Sequence, residues 1–117
     1  MATMTKVILS HSTNGLPISV TGANSGAAVD IHDVGSGTSN MDEVWLWATN
    51  VSTTTTARLV IEFGSADEDQ NIVCMLNPSE TVAVVPGIPL CNSKEIEAFA
   101  SVADIINIFG YVNRITA

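Results

Sequence analysis

"EVWLWATNVSTTTTARLVIEFGS", residues 43–65, is the stretch that decides the fold. In an extended chain Val44, Leu46 and Ala48 point one way, and Glu43, Trp45, Trp47 and Thr49 point the other. Both sides are apolar, which marks a central strand with a core beneath it and a second surface above. Further on, Leu59, Ile61 and Phe63 share a face opposite Arg58, Val60 and Glu62. Ser52 and the four threonines between the two runs read as a turn whose hydroxyls satisfy their own backbone. The expected arrangement is a hairpin, with 57–64 returning beside 43–51.

The same rhythm extends in both directions. Short β-branched runs occupy 6–12, 17–22, 27–34, 71–76, 81–86, 94–101 and 105–116. Breakers such as "TNGLP", "GANSG", "GSGTSN", "SADEDQ", "NPSE" and "PGIPLCNS" separate them. Eight to nine short strands at this spacing predict an all-β fold, an antiparallel β-sandwich or jelly roll, forming one domain over 1–117 with residues 1–5 as a flexible lead. One segment has a rival reading: Ile96, Phe99, Ala103 and Ile106 keep helical spacing. The β-branched and aromatic "IINIFGYV" that follows favours two strands turning near Val102–Asp104.

Composition narrows the function classes. Of 117 residues, 46% are hydrophobic and only 14% charged, so much apolar surface is left for a partner to cover, and an oligomer is expected. Twelve acidic residues against four basic ones give a net charge of −8. Lys6, Arg58, Lys94 and Arg114 form no stripe, so nucleic acid and anionic membranes are not expected partners. The apolar run near the N-terminus is too short for a signal peptide or a membrane span, which points to a soluble product made in a cytoplasm. The sequon "NVS" at 50–52 has meaning only in a secreted chain. Cys74 and Cys91 are either a disulfide pair or two small apolar side chains.

Reactive chemistry is sparse. Asp30 and His32, two apart on a strand, could face the same way and hold a metal, but no third ligand is identifiable. "SADEDQN", 65–71, gathers three carboxylates without EF-hand spacing and reads as a solvated loop. No GxSxG elbow, Walker loop or CxxC is present, so no enzyme activity, cofactor or metal is expected. The Trp45/Trp47 face could stack on sugar rings, with Glu43, Thr49 and Arg58 as polar neighbours. A buried or inter-subunit role for the pair is the stronger expectation.

Three segments, "DEVWLWATNVSTTTTARLVIEFG", "VVPGIPLCNSKEIEAFAS" and "IINIFGYVNRIT", resemble small virion structural proteins of tailed bacteriophages; the likeness spans residues 42–116. What the resemblance implies is a non-enzymatic β-sandwich subunit on the outer capsid surface. Its expected role is a decoration (cement) protein, a trimer that clamps the major capsid protein. Tail, head-fibre and head–tail adaptor positions are alternatives, as is a carbohydrate- or host-recognition module. Aromatics and Arg dominate interface energetics. The expected contact residues are accordingly Trp45, Trp47, Arg58, Phe99, Phe109, Tyr111 and Arg114.

Overall fold

The computed structural model describes residues 2–117. Nine strands form two antiparallel sheets: β1 (Thr3–Ile8), β2 (Ile18–Val20), β3 (Val29–Asp33), β4 (Met41–Asn50), β5 (Ala57–Phe63), β6 (Asn71–Leu76), β7 (Thr81–Leu90), β8 (Glu95–Ala100) and β9 (Ile106–Thr116). Sheet A runs β1-β9-β4-β7, with β2 also paired to β9; sheet B runs β3-β8-β5-β6. Taking β1 and β2 as one split strand, first pairs with last, second with second-last, and so inward: β1/β2 with β9, β3 with β8, β4 with β7, β5 with β6. Successive pairs alternate between the sheets, which is the winding of a jelly roll. The predicted sandwich is therefore present, in its jelly-roll form.

That winding corrects the expected hairpin. β4 pairs with β7 and β9, whereas β5 pairs with β6 and β8, so residues 51–56 cross from sheet A to sheet B. Local turn chemistry could not reveal this, because a Ser/Thr turn serves a hairpin and a crossover equally. The turn itself is as expected: Ser52 Oγ accepts the N–H groups of Thr54 and Thr55 at 3.2 and 3.0 Å. Asn50, buried at the end of β4, fixes the crossover by donating from Nδ2 to the carbonyls of Thr55 (2.8 Å) and Leu76 (3.1 Å). These bonds use the amide nitrogen a glycan would need, so the sequon is closed in the folded chain.

The core lies between the sheets and follows parity. Val44, Leu46 and Ala48 of β4 meet Leu59 and Ile61 of β5, Ile96 and Ala98 of β8, and Ile106, Ile108 and Val112 of β9, all essentially sealed from solvent. Residues 94–108 resolve as two strands, β8 and β9, joined by a turn at 101–105. Here β-branched and aromatic residues won over helical spacing. Residues 3–5 do not form a flexible lead, since β1 begins at Thr3 and pairs it with Thr116; Met1 lies outside the described residues. Cys74 and Cys91 are free and half-buried. Burial, with Glu80 adding a little, pushes the Cys74 thiol up from its ordinary range.

Three polar residues enter this core together. Asp42 of β4 is sealed between the sheets and takes a two-pronged bond from Arg114 of β9, Nε to Oδ1 at 2.9 Å and Nη2 to Oδ2 at 3.0 Å. His32, from β3 in the other sheet, lies 2.7 Å from the same carboxylate through Nε2. The Ser10 N–H donates to His32 Nδ1 at 3.0 Å, so Nδ1 is an acceptor and Nε2–H is the donor. The network ties sheet A to sheet B and to the β1–β2 loop. Burial pushes the Asp42 carboxyl up, but the hydrogen bonds from Arg114 and His32 and the charge of Arg114 outweigh it and leave it below the usual carboxylate range.

This network also corrects the idea that Asp30 and His32 share a face. A bulge between Asp30 and His32 shifts the β3–β8 register. Ile31 and His32 are both buried and Asp30 is exposed, because the extra residue reverses parity across the bulge.

Candidate functional site: an aromatic sheet face

Antiparallel register sets the outer surface of sheet A. β4 and β9 are neighbours along their length, with Trp47 opposite Phe109, Trp45 opposite Tyr111, and Glu43 opposite Asn113. Parity sends all six outward, and the four rings meet. Ring centroids are 6.4 Å apart for Trp45–Trp47, 6.4 Å for Trp45–Tyr111, 6.2 Å for Trp47–Phe109 and 6.1 Å for Trp47–Tyr111. Interplanar angles of 15° to 31° make the group nearly parallel. Each ring is half-buried by its neighbours and leaves the rest of its surface to solvent. Lys6 of β1 places Nζ 4.6 Å from the Tyr111 ring centre, a cation–π contact at one border.

Two glycines make this surface possible. Gly87, at φ +75°, is an extra residue of β7, lying between the Val44–Ile88 and Trp45–Pro86 pairs. A Cβ there would lie 2.6 Å from Trp45 Cζ2, so the indole rests on bare backbone. A Cβ on Gly110 of β9 would lie 2.0 Å from the Trp45 carbonyl oxygen, so only glycine lets β9 approach β4 at this point. The indole Nε1–H donates to Glu43 Oε1 at 2.8 Å, and Asn113 Nδ2 donates to the same oxygen at 3.0 Å. Those two bonds lower the Glu43 carboxyl below its ordinary value. Ring positions are thus set by strand register, a glycine bulge and a bonded carboxylate.

Of the seven sequence-predicted contact residues, Trp45, Trp47, Phe109 and Tyr111 come together on this face. Arg114 lies on the inward side of β9, its guanidinium committed to Asp42. Arg58 and Phe99 lie on the outer face of sheet B, beside Val60 and Val73, and cannot share a surface with the tryptophans. Arg58 is therefore no neighbour for a sugar on the Trp pair, whereas Glu43 and Thr49 are. Thr49 Oγ1 and Thr81 Oγ1 are 2.8 Å apart at the far border.

Sequence reasoning passed over the Asp42–His32–Arg114 network. A signal existed: Asp42 has the parity of Val44, Leu46 and Ala48, and Arg114 that of Val112, Ile108 and Ile106. An Asp and an Arg on core-facing positions require each other.

The outer faces differ in charge. Sheet A's carries Lys6 and Glu43 near the rings, whereas sheet B's carries Asp30, Glu62, Glu95 and Glu97 against Arg58. Fold and surface define a jelly-roll domain with one aromatic, nearly neutral face and one acidic face. No family model, curated protein or solved structure matches the chain.

Proposed function

We propose that this chain is a non-enzymatic structural protein of a bacteriophage particle, a decoration subunit that binds the major capsid lattice through the aromatic face of sheet A. The observation carrying the reading is the set of four contacting rings on a strand pair whose other side is already the core. Buried aromatic anchors of this type dominate protein–protein affinity. Four strand widths of about 4.8 Å and a length of roughly 30 Å give a face on the order of 600 Å², at the lower end of the ~600–1,000 Å² each partner contributes to a standard interface. A row of neighbouring rings spread over two long strands suits an extended protein surface better than a small ligand. Its near-neutrality allows a partner to approach, while the acids of sheet B face solvent and keep particles apart. Jelly rolls also recur in viral capsid proteins, which supports the reading by analogy alone.

In this proposal the chain is a homo-oligomer, a trimer on the outer capsid, with partner contacts made by Trp45, Trp47, Phe109 and Tyr111. The test is co-sedimentation with purified particles, comparing the native chain with Trp45→Ala/Trp47→Ala. Loss of binding by a variant that keeps its fold supports the reading; unchanged binding, or no binding by either, sinks it. Copy number per particle then separates a lattice position from a tail, fibre or adaptor position.

A second reading, a glycan-binding module, is favoured by the polar pair Glu43 and Asn113 at the edge of the Trp45 ring. It expects soluble sugars to shift tryptophan emission. A flat response across a broad glycan panel removes it.

A further inference from the structure

We propose that the free edge of β6 pairs with β6 of a second copy of this chain, antiparallel and across a two-fold axis, joining two B sheets into one. Sheet edges invite pairing because their outer backbone groups lack partners, and folded chains blunt them with charge, proline, bulges or short strands. Three of the four edges here are blunted. β7 carries Pro86 and Pro89 with the Gly87 bulge between them. β3 has five residues, a bulge, and the exposed Asp30 and Asp33. β1 holds Lys6 at mid-strand. β6, by contrast, has no charge, proline, glycine or bulge, and its six residues pair with β5 in unbroken register.

The hydrogen bonds of β5 show which groups of β6 are free. The Ser101 N–H donates to the Arg58 carbonyl at 2.9 Å, and the Arg58 N–H donates to Ser101 Oγ at 2.9 Å, so Arg58 turns its backbone towards β8. By alternation Ala57, Leu59 and Ile61 turn theirs towards β6, where they meet Leu76, Cys74 and Ile72. Val73 and Met75 therefore direct both N–H and C=O away from the sheet, as Asn71 does its carbonyl. Among the described residues, the one contact to these groups is a long one, 3.7 Å from the Cys74 thiol to the Met75 carbonyl.

The side chains identify the occupant. On the outer face Phe99, Val60 and Val73 form an apolar row from β8 through β5 to the edge, where Val73 is 46% exposed. On one side of it runs the pair Arg58–Met75, and on the other the acidic row Asp30–Glu97–Glu62–Asn71. A two-fold axis at Val73 sets that residue against its own copy, and Met75, 58% exposed, against Asn71 of the second copy. The apolar row then runs unbroken through both molecules. Each Arg58 row continues into the acidic row of the other copy, so no like charges oppose one another at the join. For a chain of net charge −8, an uncharged strand that complements itself is where two copies meet at least cost. The rings of sheet A point the opposite way, so this contact goes beyond the function proposed above. Being two-fold, it links one trimer to the next rather than building the trimer.

The experiment is sedimentation velocity of the full chain over a wide concentration range, beside Val73→Glu/Met75→Glu and Val73→Lys/Met75→Lys. Both positions are exposed, so each variant keeps the native far-ultraviolet spectrum. At high concentration the native chain is expected at twice the mass of either variant, and an equal mixture of the two variants regains the native mass through opposed charges. Amide exchange at Val73 and Met75 of the native chain slows as concentration rises, a readout that needs no variant. Equal masses for native chain and variants, a mixture that stays at the variant mass, or exchange at Val73 and Met75 that ignores concentration each overturns the pairing.

Discussion

Replacing Asp42 with Asn changes one atom in the centre of the sandwich, and its cost can be worked from the bonds that atom makes. Asp42 is 1% exposed and accepts three hydrogen bonds: one from His32 at 2.7 Å and two from Arg114 at 2.9 and 3.0 Å. Asparagine keeps the volume and can still accept the His32 proton through its one carbonyl oxygen. Standing where Oδ2 was, that oxygen also keeps the bond from Arg114 Nη2, while the amide nitrogen takes the Oδ1 position and sets donor against donor at Arg114 Nε, so one prong and the carboxylate's charge are lost. Bonds to charged groups are worth about 1.5–3 kcal/mol each. The Arg114 side chain is 37% exposed and can turn to water, so part of its loss is recovered. The net expectation is about 2–3 kcal/mol for Asp42→Asn, and about 3–5 kcal/mol for Asp42→Ala, which also orphans His32. At about 4 °C per kcal/mol for a domain of this size, the Asn variant melts roughly 8–12 °C lower. Urea unfolding should show a lower midpoint with an unchanged slope. A double-mutant cycle with Arg114→Leu should give a coupling energy above about 1 kcal/mol. A melting change under about 2 °C, or simple additivity in the cycle, refutes the claim that this network joins the sheets.

The other expectations concern acid, glycine and thiol. Asp42 titrates lower in the folded chain than in the unfolded one, so its stabilisation is complete above the unfolded value near pH ~4 and disappears as pH falls through the folded value. Melting curves from neutral pH down to about pH 2 should therefore converge for the native chain and Asp42→Asn at the acid end; a constant gap contradicts the linkage. Gly110→Ala places a Cβ against the Trp45 carbonyl and should cost more than about 3 kcal/mol, read by urea unfolding, because backbone rather than a side chain must move. Gly87→Ala, which displaces the Trp45 ring, should cost about 1–3 kcal/mol and shift tryptophan emission to the red. With Cys74 and Cys91 free, a reductant should leave the melting midpoint unchanged, and Cys74, its thiol raised, should alkylate more slowly at neutral pH than a free thiol.

Parity was the most legible property of this chain. The alternation in 43–51 and 57–64 places nearly every core residue of β4 and β5 correctly, because a strand with one face in the core allows a single register of sides. Pairing partners were not legible. Nothing in "STTTT" distinguishes a hairpin from a crossover, and only the alternating winding of pairs puts β5 in the other sheet. The bulge at β3 defeated parity locally, hiding His32 as a core residue and leaving Asp30 as part of an acidic row. That row and the four-ring face share one cause of invisibility: their members are distant in sequence and become neighbours only through cross-strand register. The tryptophans could be nominated from their strand, whereas their contact with Phe109 and Tyr111 required the topology.

The position of β9 has a kinetic consequence. This strand, furthest along the chain, lies inside sheet A and is flanked by β1 and β2 on one edge and β4 on the other. During synthesis β1 and β2 must wait, unjoined to the β4–β7 pair, until β9 emerges. Such non-local closure makes for slow folding, and the waiting intermediate exposes strand edges and aromatic side chains prone to misassociation. A nascent chain of this design gains from companions that shield it until β9 slots between its neighbours.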